Sequence, residues 1–323
     1  MGAYQKGLVE LGDGAFAYLQ PDGGWGWSNA GLIRDGDQAV LIDTLFDEPL
    51  TQQMLNAITD ATGLRARDIG AVVNTHANGD HTHGNALLET AEIIASEASA
   101  REMETFSPQV LAMLKAQGAT GAMGIAGEFF AEVFAPFDFA GARGKAPTKT
   151  FHRHHVMMVG DKRVELSDVG PAHTAGDVLA FVPADRIVFT GDILFHDVTP
   201  VMWAGPVGNW LAACDQILAL EVDVIVPGHG RLADKDGVRR MQNYLRFIAK
   251  EARARYDAGL SAQEAARDIA LGDYDSWGDA ERIAVNVDTL YREFRGGGEP
   301  TNPVELFGLM GQIARDRKGR TIP

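Results

Sequence analysis

The chain has 323 residues, 46% of them hydrophobic and 23% charged, the profile of a soluble globular protein large enough to bury a substantial core. Its 44 acidic and 29 basic residues leave a net charge of −15, which disfavours nucleic acid or an anionic membrane surface as the main partner. The single cysteine, Cys214, excludes an internal disulfide, and no apolar run approaches the roughly 20 residues that cross a bilayer. Residues 7–44 read as β-structure, with short apolar runs at 14–19, 28–33 and 39–43 parted by Asp/Gly turns. Residues 45–62 read as a helix, since Leu50, Met54, Leu55 and Ile58 recur at helical spacing. A strand at 69–73, the start of a helix at 81–89 and a strand at 92–95 continue an α/β layering.

Residues 97–150 break that rhythm. Val110, Leu111 and Leu114 are helically spaced, 118–127 is rich in Gly and Ala, and 128–139 holds Phe129, Phe130, Phe134, Phe137 and Phe139. This is a helical insertion, open to two readings: a packing element, or a lid whose aromatics line a substrate pocket. Strands then resume at 156–159 and 164–169 around Gly160-Asp161, and at 178–182 and 187–190 around a second turn. Pro206 opens a helix whose stripe includes Trp210, Cys214 and Ile217, so Cys214 reads as core. A strand at 222–226 leads into Pro227-Gly-His-Gly230, and helices follow from 236 onward. The expected organisation is one α/β domain over 1–235 carrying the insertion at about 97–150, with a helical extension over 236–323 packed on it. The N-terminus lacks a signal-peptide profile, so a cytoplasmic setting is expected. The helices after 236 either cover one end of the sheet or join a second subunit, and a homodimer acting on a small molecule is the expected form.

The chemistry concentrates at residues 74–85, where His76, Asn78, Asp80, His81 and His83 crowd into eight positions after the strand at 69–73. Imidazole nitrogen and carboxylate oxygen are ligands for a zinc-like cation. His173, Asp192 and His229 each follow an apolar run as well, so all can converge on one edge of a layered sheet. The cluster His152, His154 and His155 leads into a strand and reads as exposed or structural.

The order His76-x-Asn-x-Asp-His81, Gly170-x-x-His-Thr-x-Gly-Asp177, Thr190-Gly-Asp192 and Pro227-Gly-His-Gly230, preceded by Leu41-Ile-Asp-Thr44, resembles the metallo-β-lactamase superfamily over about residues 14–235. The resemblance implies a four-layer αβ/βα sandwich with two metal positions between its sheets. The first would use His76, Asn78 and His173, the second Asp80, His81 and His229, with Asp192 bridging. Asn78 stands where the family usually has histidine, and a neutral amide oxygen is a poorer zinc ligand than imidazole. One tightly held Zn²⁺ is therefore expected on Asp80, His81, Asp192 and His229, with the first position weak or empty. Asn78 and the overall layout also resemble the subgroup of hydrolytic chlorothalonil dehalogenases.

The implied activity is a zinc-dependent hydrolase in which hydroxide, formed because zinc brings the pKa of water from 15.7 to about 7, attacks an electrophilic carbon of a small, fairly apolar substrate. Hydrolytic dehalogenation of a chloroaromatic is its specific form. Lactonase, esterase or amidase chemistry on the same site, or an iron-dependent oxidoreductase, are the alternatives. Asp192 would ligate metal and orient water, while His76, His173 and Asn78 would hydrogen-bond the nucleophile or serve the leaving group. Asp43 is expected to brace a ligand loop rather than bind metal. Trp203 and Trp27, with neighbouring Trp25, are candidate pocket wall, and His83 either faces that pocket or lies outside it.

Overall fold

The computed structural model describes residues 4–105 and 107–320. In chain order the elements are β1 (Gly7–Gly12), β2 (Ala15–Leu19), β3 (Ala30–Asp35), β4 (Gln38–Ile42), α1 (Glu48–Thr62), β5 (Ala71–Val73), α2 (Gly79–Thr82), β6 (Glu92–Ser96), α3 (Glu97–Met103), α4 (Pro108–Ala119), α5 (Gly124–Val133) and β7 (Lys149–Phe151). Then follow β8 (His154–Val159), β9 (Lys162–Asp168), β10 (Val178–Val182), β11 (Ile187–Phe189), β12 (Phe195–His196), α6 (Val207–Ala219), β13 (Val224–Val226), β14 (His229–Gly230), α7 (Lys235–Asp257), α8 (Ala262–Asp268), α9 (Ile283–Phe294) and α10 (Pro303–Arg320).

Strands β1 to β7 form one sheet in sequence order, antiparallel as far as β4 and parallel from β4 to β7. The second sheet runs β13-β11-β10-β9-β8, antiparallel except for the β11–β13 pair. A two-stranded parallel ladder, β12–β14, sits beside them.

Alternation along the strands sorts the core into layers. In β2, Ala15, Ala17 and Leu19 face the second sheet, and Phe16 and Tyr18 face the helical layer of α1. The inter-sheet core joins Ile33, Val40, Ile42, Val73 and Ile94 to Val164, Leu166, Val178, Val182 and Phe189. Small residues allow the sheets to close: a Cβ on Gly31 would lie 2.1 Å from the Phe189 ring. On the far side of the second sheet, Trp210, Cys214 and Ile217 of α6 pack with Met241, Tyr244 and Leu245 of α7 and Val287 and Leu290 of α9. The result is a four-layer αβ/βα sandwich with added helices, among them the C-terminal α10.

Two local departures from the sequence reading have clear causes. Helix α1 begins at Glu48 rather than 45 because the Asp47 side chain caps it, accepting from Leu50 N at 2.7 Å. The helix read at 81–89 shrinks to the single turn of α2 and a 3₁₀ turn at Asn85–Leu87. There the His81 carbonyl accepts from Thr44 N at 2.9 Å and Asn74 Nδ2 at 3.1 Å, so tertiary donors replace the next helical amide. Helices α3, α4 and α5 fill the stretch between β6 and β7. Phe130, Phe134, Phe137 and Phe139 pack with Phe46 in the outer core of the first sheet.

Candidate metal centre

Four loops at strand ends meet at one edge of the sandwich. The loop after β5 carries His76, Asn78, Asp80 and His81; the β9–β10 loop carries His173; the turn after β11 carries Asp192; and β14, just beyond β13, carries His229. The backbone bond from Val178 N to Thr75 O, 2.7 Å, ties the two sheets together here.

His76, His173 and Asp192 form one group whose ligand-competent atoms lie within 4.8 Å of one another, and Asp80, His81 and His229 form a second. Asp192 joins them. Its Oδ1 is 3.2 Å from His81 Nε2, and its Oδ2 is 3.2, 3.5 and 3.7 Å from Nε2 of His173, His229 and His76. Asp80 Oδ2 lies 3.2 Å from His229 Nε2.

Each histidine is held by its other nitrogen, which fixes its tautomer. His229 Nδ1 donates to Gly23 O at 2.9 Å, and His173 Nδ1 to Val201 O at 2.6 Å. Asp43 accepts from Thr75 N and Thr75 Oγ1, both at 2.7 Å, and from His81 Nδ1 at 2.9 Å. Because the Thr75 hydroxyl gives its proton to Asp43, it accepts from His76 Nδ1, 3.0 Å away. Asp43 thus braces the ligand loop from a left-handed backbone position, φ 63°, which aspartate tolerates. All four rings turn a bare Nε2 lone pair toward the carboxylates.

Nε2 of His76, Nε2 of His81 and Oδ1 of Asp192 are buried with no hydrogen-bond partner among the described residues. Lone pairs and carboxylates facing one another out of water repel unless a cation or proton lies between them. The donor set fits a divalent metal. Without metal, a proton takes part of that role. Burial opposes charge on His81, but Asp192, Asp43 and Asp80 outweigh it and push its pKa well above the usual value. Burial drives His76 well below the usual range, and His173 downward as well. Burial also raises Asp192 and Asp80, yet their histidine neighbours prevail and hold both carboxylates below their ordinary range.

Asn78 Oδ1 lies 2.8 Å from His173 Nε2. With the His173 proton spent on Val201, that contact sets acceptor against acceptor. It is stable with a cation between the atoms, or with the amide turned so that Nδ2 donates.

The site forms part of the wall of a cavity of about 410 Å³. Asn78, Asp80, His173, Asp192 and His229 line it together with His83 and Trp203. The His83 ring stacks on Phe46 with centroids 5.7 Å apart, and a Cβ on Gly79 would approach that ring to 2.4 Å. Of the tryptophan pair, Trp25 lines the cavity, whereas Trp27 is not among its lining residues and packs on Phe137 with centroids 4.9 Å apart. The rest of the wall is largely apolar and includes Leu114 and Phe130 of the insertion and Phe307 of α10, with Glu102 and Arg282 as further charged members. Phe46, Glu102, Phe307 and Arg282 were not singled out in the sequence; their motifs are unremarkable, and only the crowding of phenylalanines hinted at a wall. His152 and His154 are exposed on the second sheet's side of the molecule.

The family model of the metallo-beta-lactamase superfamily matches residues 23–229. A linear primary-alkylsulfatase of Pseudomonas sp. is 20% identical over 265 residues, which cover 74% of this chain and 49% of that protein. Among solved structures, the inverting sec-alkylsulfatase Pisa1 from Pseudomonas sp. superposes with a TM-score of 0.68 at 16% identity, over 93% of this chain and 52% of that one. A metallo-beta-lactamase from Pontibacter korlensis gives 0.55 at 17% identity, over 75% of this chain and 99% of that one. The chain spans about half the length of the alkylsulfatases it matches, and structural likeness at these identities speaks for the fold alone. The relatives named are alkylsulfatases and a β-lactamase, so the dehalogenase resemblance rests on Asn78 and the layout. With the superfamily model covering well over half of its length and all five loop motifs present in order, the chain belongs to the metallo-beta-lactamase superfamily.

Proposed function

We propose that the chain is a hydrolase holding one divalent cation, zinc, on Asp80, His81, Asp192 and His229. The observation that carries this reading is the convergence of oriented Nε2 atoms and carboxylates on the wall of a largely apolar cavity. When bound, the metal supplies the Lewis acidity that brings water's pKa from 15.7 to about 7. The protein's own groups do the rest. Asp43 and Gly23 O fix the tautomers of His81 and His229, and Asp192 gives the nucleophile a fixed acceptor. Asn78 and His173 close the first position on each other through a turned amide. Neutral His76, its Nε2 3.7 Å from Asp192 Oδ2, stands behind the carboxylate that orients the nucleophile.

The aromatic and aliphatic walls suit a substrate with an apolar body and exclude bulk water around the reacting carbon. Two specific forms follow. One is hydrolytic dehalogenation of a chloroaromatic, implied by Asn78; the other is cleavage of an alkyl sulfate ester, implied by the names of the relatives. Arg282, a cation in the wall, favours the anionic ester. We assign a cytoplasmic homodimer as the setting, and light scattering of the purified chain tests the dimer.

Metal-loaded protein should be assayed on alkyl sulfates, chloroaromatics, lactones and activated esters. Asp80→Ala and His81→Ala should lose both bound metal and turnover. Activity surviving either change defeats the assignment.

A further inference from the structure

Arg282 is 1% exposed, yet it forms part of the cavity wall. Burying a guanidinium is costly unless its donors and charge are matched. Nη1 donates to Thr199 O at 2.9 Å, and Nη2 pairs with Asp279 Oδ2 at 2.9 Å. The guanidinium carbon lies 4.3 Å from the Trp25 ring centroid and 5.5 Å from that of Phe195. Nε, by contrast, has no hydrogen-bond acceptor among the described residues. Phe195 stacks on His229, with centroids 5.1 Å apart and planes 7° from parallel, so a stack of flat groups links the guanidinium to the metal loops. Among the described lining residues Arg282 is the one lysine or arginine.

We infer that Arg282 is the head-group site of this cavity and that the substrate is an amphiphile carrying an oxyanion: a sulfate, sulfonate or carboxylate. Asp279 and Thr199 leave part of the guanidinium's five-donor fork unused, and a forked donor matches two oxygens of one anion. The apolar body of the ligand then lies against Leu114, Phe130, Phe134 and Phe307. Low dielectric around these rings strengthens the ionic contact. Trp25 keeps the guanidinium plane in place, itself anchored by its Nε1–H bond to Glu281 Oε1 at 2.8 Å. This assignment rests on the hydrolase reading only in taking the cavity as the substrate site.

Calorimetric titration of the metal-loaded full chain with octane-1-sulfonate, and with the uncharged methyl octyl sulfone, tests it. Wild type should bind the sulfonate at least about 10-fold more tightly. Arg282→Gln should lose about 10- to 100-fold on the sulfonate while holding the sulfone within about threefold. Equal affinities in wild type, or a preference that survives Arg282→Gln as it would for a merely bracing arginine, overturns the inference. Should Arg282→Gln fail to fold, Arg282→Lys keeps the cation and stem but not the fork, and should still lose about 10-fold on the sulfonate alone; an unchanged sulfonate affinity again overturns the inference. Metal content measured in the same samples separates the two readings. A chain that binds sulfonate through Arg282 without holding metal sinks the hydrolase alone, and a metal-loaded hydrolase indifferent to charge sinks the head-group site alone.

Discussion

Asp43→Asn exchanges one carboxylate oxygen for NH₂ and tests how the centre is organised without touching a proposed ligand. Asp43 is buried and accepts three hydrogen bonds, two from Thr75 and one from His81. Asparagine offers one acceptor oxygen where aspartate offers two. If that oxygen keeps the Thr75 amide, the new NH₂ faces His81 Nδ1 and drives the imidazole proton to Nε2, the atom the metal needs. If the amide turns over, NH₂ meets the Thr75 N–H, and a buried donor is left opposed at about 1–3 kcal/mol. Disturbing such a partner of a ligating histidine typically lowers metal affinity 10- to 100-fold, about 1.4–2.7 kcal/mol. Competition against a chromophoric chelator at neutral pH measures the loss, with circular dichroism confirming the fold. An Asp43→Asn protein that binds zinc within twofold of wild type would refute the argument that this bridge sets the tautomer of His81.

Asn78→His should raise metal stoichiometry from one toward two, because His76, His173 and Asp192 already stand within reach of a common point; elemental analysis after dialysis reads this directly. Gly118→Ala would bring a Cβ to 2.3 Å from Gly127 O, where α4 crosses α5. It should cost about 1–3 kcal/mol, lower the unfolding temperature and raise KM, as both helices wall the cavity. Asp177 is buried, and burial pushes its carboxyl from 3.8 up to about 8 despite the bonds from Thr174. Its folded form therefore holds a proton more tightly than the unfolded chain, and the associated stability, complete below about pH 3.8, is lost as pH rises toward 8. Asp177→Asn should flatten the fall in thermal stability between pH 5 and pH 8 in chelator-treated protein, and parallel curves for variant and wild type would contradict this.

The layered fold and the loops that carry the candidate ligands were legible in the sequence because each rests on a local signal. Apolar runs ending in Gly-containing polar loops announce strand ends, and side chains there are delivered to one rim. Elements of two or three residues, such as β7, β12 and β14, carry no periodicity to read and exist through pairing with distant strands. The cavity wall was only partly visible for a related reason. Trp25 and Trp27 lie two residues apart in one loop, and only tertiary packing decides that Trp25 turns to the cavity while Trp27 settles on Phe137. Arg282 comes from a 3₁₀ turn just ahead of α9 and Phe307 from α10, far along the chain, where the sequence offered only a core stripe at 283–294 and a plain terminal helix. Asn78 stands out in the sequence itself, and Asn78→His tests the proposal that an amide in place of an imidazole weakens one metal position.

Elemental analysis of the full chain, purified without added metal and then dialysed, bears most directly on the central claim. One equivalent of zinc should remain in wild type, none in Asp80→Ala or His81→Ala, and one in Trp27→Phe. Zinc retained by the Asp80 and His81 variants, or absent from the wild type even after zinc is supplied, would contradict it.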